Sequence, residues 1–501
     1  MRLGVKHQNQ QTVVRSDFSG GLNTAAAIEG ITETQLAEVV NMDIDHSTGR
    51  LKTVSGTVEV LHQEGIFAVI HDSINNRFLI VLNDKTVHLA TMADGTVGGS
   101  LGTLTGDLFP CYTAWENGVL IASGGKLQYY NGSTLKTINS SPNAKSVYIR
   151  AGRVVITDDA AVRYSAVGDE ENWTEESGDD SSSKFVEAGY KDGGSFLGMA
   201  SLSSDVIIIK NNRRVYRLSG EYPDWVISEI SRNVECIGAR SFCSVANAVF
   251  VLGKNEVSVL QPTDQYGDVH PTNAATLITS EIQKLPDNAL MRYVPPLSQV
   301  WVIGENGRVL MYDMTGQSWF TRRFNSSVVD VISVGDTVYV VKPNGIARLD
   351  DSTFYDDGLP LAWKFRAQRL MSHNEYLLKR LQVSIVVKTA ESYIGTVSVG
   401  AVKVDLPVVG GNDLIYGNNA PIWGNNGLIS ETGRSKGVFA AEDLIYDNEE
   451  LIYEEDSMIF KPQTVIKESR NVFRSKFLDV KGSGSMGGFV LNAIFMDIAE
   501  V

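Results

Sequence analysis

Four short patterns in the chain have the spacing that chemistry would need. Gly482-Ser-Gly-Ser-Met-Gly487 is spaced like a dinucleotide-binding turn and Gly98-Gly-Ser-Leu-Gly102 like a nucleophile elbow. Asp43-Ile-Asp-His-Ser-Thr-Gly49 approaches a calcium loop, and Asp313-Met-Thr-Gly-Gln-Ser-Trp319 an Asp-box turn. Each lacks the element that would make it work. A pyrophosphate sits on a helix N-terminus, but the first pattern is followed by the apolar strand Gly488-Phe-Val-Leu-Asn-Ala-Ile-Phe495. An elbow joins a strand to a helix, whereas residues 98–102 lie in a Thr/Gly-rich stretch between strands. In the third pattern the glycine falls one position late, and Val54 stands where the bidentate Glu belongs. In the fourth, Gly and Trp stand one residue too far from the Asp, and an Asp box is a structural turn in any case.

The remaining reactive side chains are dispersed. His7, His46, His62, His71, His88, His270 and His373 show no ligand spacing, and Cys111, Cys236 and Cys243 are odd in number and lack a CxxC pair. Short basic clusters, Lys210 with Arg213 and Arg214, Arg322 with Arg323, and Lys379 with Arg380, read as solvated edges or salt-bridge partners. The expectation is a protein without catalytic, cofactor-binding or metal-ligating residues, and not an enzyme.

The elements that could position anything must be read from the whole chain. Its 501 residues, 43% hydrophobic and 21% charged, allow two to four domains with full cores. Forty-four Lys plus Arg against 59 Asp plus Glu give a net charge of −15, which excludes binding nucleic acid by neutralising phosphates. The polar start, Met1-Arg-Leu-Gly-Val-Lys-His, implies no export signal, and no run approaches the ~18 apolar residues that span a bilayer. A reducing cytoplasm is the expected setting.

Between residues 66 and 350 one motif recurs seven times: an apolar strand, a polar turn of two or three residues, and a second strand. Gly118-Val-Leu-Ile-Ala122 with Lys126-Leu-Gln-Tyr-Tyr130 across Gly124-Gly125 is one copy, and Thr337-Val-Tyr-Val-Val341 with Ile346-Ala-Arg-Leu349 across Pro343-Asn344-Gly345 is another. Asn, Asp and Gly tolerate the positive φ of tight hairpins. Each hairpin has a further apolar strand upstream, and the units repeat about every 44 residues. An all-β fold built on a β-propeller follows, with seven blades by this count and six to eight allowed by the uneven spacing. Serial β-sandwiches are the alternative.

Around the repeats, residues 1–60 read as an N-terminal arm, in which Thr32 and Gln35 form a capping box opening a short helix to Asn41. Residues 61–350 form the propeller, and 351–501 a β-sandwich interrupted by an insertion at 410–461. The insertion repeats Asp413-Leu-Ile-Tyr416, Asp443-Leu-Ile-Tyr446 and Glu450-Leu-Ile-Tyr453. From Glu442 to Asp456 it holds eight carboxylates and no base, so it reads as an interaction arm, a loop facing an aqueous channel, or a solvated loop.

Asp17-Phe-Ser-Gly-Gly-Leu-Asn-Thr24, Leu36 to Asn41, Asp43-Ile-Asp45, Gly49-Arg-Leu51 and Gly56 resemble the start of the tail nozzle (tail hub) proteins of short-tailed bacteriophages, the podoviruses. Tyr164-Ser-Ala-Val-Gly-Asp169 with Asn172-Trp173, and the strand pair flanking Gly482-Ser-Gly484, extend the resemblance over arm, propeller and sandwich. The resemblance implies a structural virion protein, a ring usually of six copies below the portal and tail adaptor proteins. Its surface would carry tail fibre or spike proteins, and its lumen would pass the genomic DNA without specific binding. Under it, Phe18, Gly20, Gly21, Leu22 and Asn23 contact a neighbouring subunit. Glu442, Asp443, Glu449, Glu450, Glu454, Glu455 and Asp456, with Tyr416, Tyr446 and Tyr453, face the channel or a docking partner. The apolar residues of that insertion depart from a bare channel wall. A carbohydrate- or receptor-binding propeller, including one with glycosidase activity, is the competing reading.

Overall fold

A computed structural model of the chain describes residues 10–159, 161–220, 225–262, 269–387, 394–406, 463–485 and 487–500, with the pairs 423–424, 427–428, 446–447 and 450–451. Among them are seven four-stranded antiparallel sheets. The expected hairpins are all present: Gly118–Ala122, for instance, pairs with Cys111–Trp115 on one side and Gln128–Tyr130 on the other. The last sheet runs Asp330–Val334, Thr337–Lys342, Gly345–Asp350 and then Gly56–His62, so a strand from before the repeats completes it and closes the ring. The β-propeller is thus present.

The second strands show why the repeat is legible as apolar runs rather than as alternation. Gly118–Ala122, Arg153–Thr157, Asp205–Lys210, Ala248–Leu252 and Gln299–Ile303 are buried at every residue. Each is covered on both faces, because a propeller sheet packs between two others. Val119 and Ile121 join the core shared with the first sheet (Ala68, Ile70), whereas Leu120 and Ala122 join the core shared with the third (Val154, Ile156). Val206 and Ile208 likewise face the third sheet, and Ile207 and Ile209 the fifth. A strand covered twice needs apolar residues at both parities of the pleat.

The turns hold a difference from expectation. In Asn83-Asp84-Lys85 the left-handed residue is Lys85 (φ 67°), and in Asn211-Asn212-Arg213 it is Arg213 (φ 68°). The Asp84 carboxylate instead accepts from the Thr86 N–H at 3.0 Å. The acidic or amide residue shapes the turn through its side chain, and its neighbour takes the strained backbone.

Compact packing divides the chain into two units, Val58–Met311 with Ser326–Leu349, and Met1–Thr57 with Tyr312–Asn325 and Asp350–Val501. Among the described residues the second unit contains two large sheets. One runs Met42–Asp45, Arg50–Thr53, Phe489–Glu500, Leu370–Val387 and Gln463–Ser469, with Gln10–Arg15 also on Phe489–Glu500 and Phe473–Leu478 also on Leu370–Val387. The other runs Gly21–Leu22, Gln35–Val40, Trp363–Ala367, Val480–Gly484, Gly395–Val399 and Val402–Leu406. Trp363 of one sheet meets Phe489 of the other edge-on at 4.8 Å, which sets this as a β-sandwich. The N-terminal segment therefore supplies strands to both sandwich sheets.

The helix expected between Thr32 and Asn41 is absent: Gln35–Val40 is a strand, parallel to Gly21–Leu22 and antiparallel to Trp363–Ala367. The capping-box contact does form, the Thr32 N–H donating to Gln35 Oε1 at 3.0 Å, but it closes only a turn. Asn23 Nδ2 also donates to Gln35 Oε1, at 2.8 Å. Sheet pairing on two sides outweighs the weak helical preference of Val39 and Val40.

Candidate functional site

Within the propeller unit, polar residues converge where first strands meet. From Cys111–Trp115 onward, the first strand of each sheet lies beside the next, and Asp330–Val334 returns to Ile66–Asp72. These strands therefore surround the middle of the ring. Arg240, just before the fifth sheet, places its guanidinium carbon 3.5 Å from the ring centroid of Phe109, just before the second. Sheets that far apart in the order can touch only across the axis. Phe109 in turn lies 5.5 Å from Phe67, over which Lys85 Nζ sits at 3.0 Å. Arg240 also donates to the carbonyl of Val329 and lies 3.7 Å from Asp330. Asp330 accepts two bonds from Arg292, at 2.7 and 3.1 Å.

Two guanidiniums thus share one carboxylate. Burial pushes Arg240 down to about 10, against the pull of Asp330 and with repulsion from Arg292. Burial works against Arg292 too, but the Asp330 carboxylate outweighs it and the group is raised. Burial and Asp330 push Tyr112 up to about 12, and burial pushes Cys243 up to about 12 and Cys111 upward despite Arg292 nearby. Thiols so shifted are protonated at neutral pH and poor nucleophiles. The cluster can tie five of the seven sheets together, since Arg292 and Asp330 lie in the first strands of two and Lys85, Phe109 and Arg240 in loops beside three others. Its side chains cross the middle of the ring, where Arg240 and Arg292 stay partly exposed. Nothing in the apolar periodicity pointed to it; the available signal was a charge inside an otherwise apolar first strand, as in Leu290-Met-Arg-Tyr-Val294 and Val328-Val-Asp-Val-Ile332.

A separate cleft of about 1140 Å³ opens between the first and last sheets, lined by Glu59, Arg77, Phe78, Asp94, Tyr339 and Arg348 among others. Arg77 is engaged by the carbonyl of Gly132, and Tyr339 packs edge-on against Phe78 at 5.2 Å.

The residues expected to meet a neighbouring subunit lie inside their own unit. Phe18 is 0% exposed and packs 6.3 Å from Phe365, and Leu22 and Asn23 are buried. Asn23 Oδ1 accepts from the Ala25 N–H at 3.0 Å. Gly21 has φ +61° and a Cβ there would lie 2.7 Å from the carbonyl of Trp319, so both conformation and space demand glycine. Gly20 is half-buried against Thr34. Their side chains are occupied within the chain. Of the insertion residues, Tyr446 and Glu450 belong to a two-stranded pair, Tyr446–Asp447 with Glu450–Leu451. Tyr416, Glu442, Asp443, Glu449, Tyr453, Glu454, Glu455 and Asp456 lie outside the described residues.

The four chemistry-like patterns have structural explanations. Gly484 is required because a Cβ would lie 1.8 Å from the Ile394 carbonyl and 2.7 Å from the Trp363 ring, and a strand follows, not a helix. Residues 98–102 lie in the strand Thr96–Thr103. Asp45 folds the turn before Gly49 by accepting from the Ser47 N–H at 3.1 Å. Asp313, 0% exposed, accepts from the Gly316 N–H, and Trp319 packs at a tilt against Tyr312, 5.0 Å between ring centroids. Burial raises Asp313, opposed by the Gly316 N–H and by His46, whose Nε2 lies 3.3 Å away. Four of the basic residues are ion-pair partners, Lys210 with Asp192, Arg213 with Glu235, Arg214 with Glu229 and Arg380 with Asp497, whereas Arg322 is buried rather than at a solvated edge and donates to the Ser55 carbonyl at 2.7 Å. Among the described residues no group of three His, Cys, Asp or Glu is placed to hold a metal ion, and no helix is long and apolar enough to cross a membrane.

No protein-family model and no curated protein matches the chain. Solved structures similar to it include BamB from Moraxella catarrhalis, at 9% identity over 62% of this chain and 92% of that one, with a TM-score of 0.40. YCF48 from Cyanidioschyzon merolae matches at 9% identity over 59% and 98%, TM-score 0.40. The WD40 domain of Neurospora crassa Pan2 matches at 9% identity over 59% and 94%, TM-score 0.41. At such values the likeness carries no argument about function, and the fold rests on the sheets themselves.

Proposed function

We propose that the chain is a structural subunit of the tail of a short-tailed bacteriophage, one copy of a nozzle or hub ring below the portal and adaptor, through whose lumen the genome leaves. The observation that carries the reading is where its signature residues lie. Phe18, Gly21, Asn23, Asn41, Gly49 and Gly56 frame the sandwich unit. The Phe18 N–H donates to the Gly49 carbonyl at 2.8 Å. Asn41, at φ 52°, ties three segments, donating from Nδ2 to the Ala362 carbonyl at 2.7 Å and from its N–H to that of Thr321 at 2.8 Å, while its Oδ1 accepts from the Arg323 N–H. Residues with such exacting environments are the ones that a shared architecture would require.

The side chains that cross the middle of the propeller, Arg240 over Phe109, favour a conduit formed between copies over one through a single propeller. A net charge of −15 would let DNA slide past such a ring without adhering. In this reading the chain has no catalytic role, is incorporated into the virion after assembly in the host cytoplasm, and anchors fibres or spikes. Particle images of the purified full chain are the test. Rings with an open bore, six copies by expectation, support it; a monomer at every concentration, retained by immobilised glycans, overturns it.

A further inference from the structure

The cluster at the middle of the propeller carries more positive charge than the chain supplies partners for. Arg240, Arg292 and Lys85 gather there, and Asp330 is the carboxylate that acts on both guanidiniums. Lys85 has no ion-pair partner among the described residues; its ammonium rests on the Phe67 ring, as the Arg240 guanidinium rests on that of Phe109. An aromatic face attracts a cation through its quadrupole but cancels no charge. Three cations against one carboxylate leave a local excess of two positive charges in a chain whose total is −15. The hydrogen bonds show the same shortfall. Arg292 uses Nε and Nη2 on Asp330 and donates from Nη1 to the Met291 carbonyl at 3.1 Å. Arg240 donates from Nη2 to the Val329 carbonyl, but its Nε is buried without a partner and its Nη1 meets no acceptor among the described residues.

Charges held away from water are costly unless they are paired, and burial already pushes Arg240 down to about 10. The cluster is nevertheless open to solutes, since Arg240 and Arg292 are 25% and 28% exposed and Lys85 is half-buried. We propose that the middle of the ring is an anion site whose ligand is a phosphate group, free or carried as a monoester, bonded by Arg240 and attracted by the charges of Arg292 and Lys85. The charge count selects phosphate over carboxylate. A phosphate monoester carries about −1.5 to −2 at pH 7, close to the excess of two, whereas a carboxylate carries a single charge. Guanidinium donors also suit phosphate oxygens, forming short charge-assisted bonds. DNA is not the occupant: its backbone phosphates are diesters with one charge each, on a polymer that the chain's −15 repels. The inference concerns one copy of the chain and stands apart from the ring reading.

Isothermal titration calorimetry of the full chain with inorganic phosphate, in a buffer free of other oxyanions, is the test. Saturable binding of one phosphate per chain is expected. Arg240→Gln should weaken it at least tenfold, about the worth of one charge-assisted hydrogen bond. Lys85→Gln, which acts through charge alone, should weaken it about threefold, and less as salt is raised. Asp330→Asn should tighten binding, because it removes the carboxylate that competes with the phosphate. A damaged fold does not bind more tightly, so this opposite sign separates a site from lost structure. Lys85 stands in the turn between Arg77–Leu82 and Thr86–Thr91, so its variant keeps the test decisive should Arg240→Gln not fold. Ribose 5-phosphate, with ribose as control, distinguishes the two sources: binding of the ester supports a carried phosphate, and binding of inorganic phosphate alone supports the free ion. No saturable binding, or binding that folded Arg240→Gln and Lys85→Gln variants leave unchanged, overturns the inference.

Discussion

The propeller unit and the sandwich unit are both all-β, yet they are held together over very different stretches of chain. In the propeller, strands paired in space are neighbours in sequence, as with Arg153–Thr157 between Ser146–Arg150 and Val162–Tyr164, except where Gly56–His62 closes the last sheet. In the sandwich, Gln10–Arg15 pairs with Phe489–Glu500, so Gln10 lies opposite Ala499. Local pairing makes the first unit a chain of small, similar cores. Distant pairing makes the second depend on both ends of the polypeptide, and its register cannot form until they meet. The two units should therefore differ in how a single lesion spreads.

The largest effect is expected from Trp363→Ala. Trp363 is 2% exposed, meets Phe489 and donates from Nε1 to the Ile394 carbonyl at 2.9 Å. Its loss should cost about 3–5 kcal/mol. Calorimetry should show a sandwich transition moved down while the propeller transition stays; a shift of both by the same amount would sink the distinction between the units. Next is Ile121→Ala, fully buried between the first and second sheets. About 2–5 kcal/mol is expected, with hydrogen exchange accelerated first in those two sheets. Uniform acceleration through all seven would show a single cooperative ring instead.

A smaller effect follows from Asp192, in the propeller. Burial alone would raise its carboxyl, but Lys210, 2.5 Å away, the Gly194 N–H and the Tyr216 hydroxyl hold it at about 2, below its ordinary 3.8. A depressed carboxyl stabilises the fold fully above its ordinary value and loses that contribution as pH falls toward 2. The contribution is about 2 kcal/mol. Chemical denaturation between pH 5 and 2 should show it, and Asp192→Asn should remove that share of the slope. The smallest expected change is in a turn. Ala246 sits at φ 45°, so Ala246→Gly should stabilise by about 0.5–1 kcal/mol in a thermal melt, relief of strain slightly exceeding added chain entropy.

What could be read ahead of the structure follows the same division. The doubly covered second strands forced apolar residues at both parities, and that left seven visible copies. The residue bearing positive φ was as expected at Gly124, Asn306 and Gly307 but not in the turn after Leu82, where Asp84 acts through its side chain and Lys85 takes the strain. The segment at 32–41 was misjudged for the opposite reason: its local capping signal is real, and the strand is imposed by Trp363–Ala367, more than three hundred residues away. The axial cluster was hidden because Phe109, Arg240, Arg292 and Asp330 lie far apart in sequence and meet only in the ring.

The sequence by itself determined the all-β class and the repeating hairpins, because these depend on pleat parity and turn chemistry. Only the tertiary structure decided that the N-terminal segment is woven into both sandwich sheets, that Phe18 and Asn23 are interior residues, and that Arg240 meets Phe109 across the middle of the propeller. Those outcomes depend on which distant segments meet, and a pattern read along the chain carries no information about partners hundreds of residues apart.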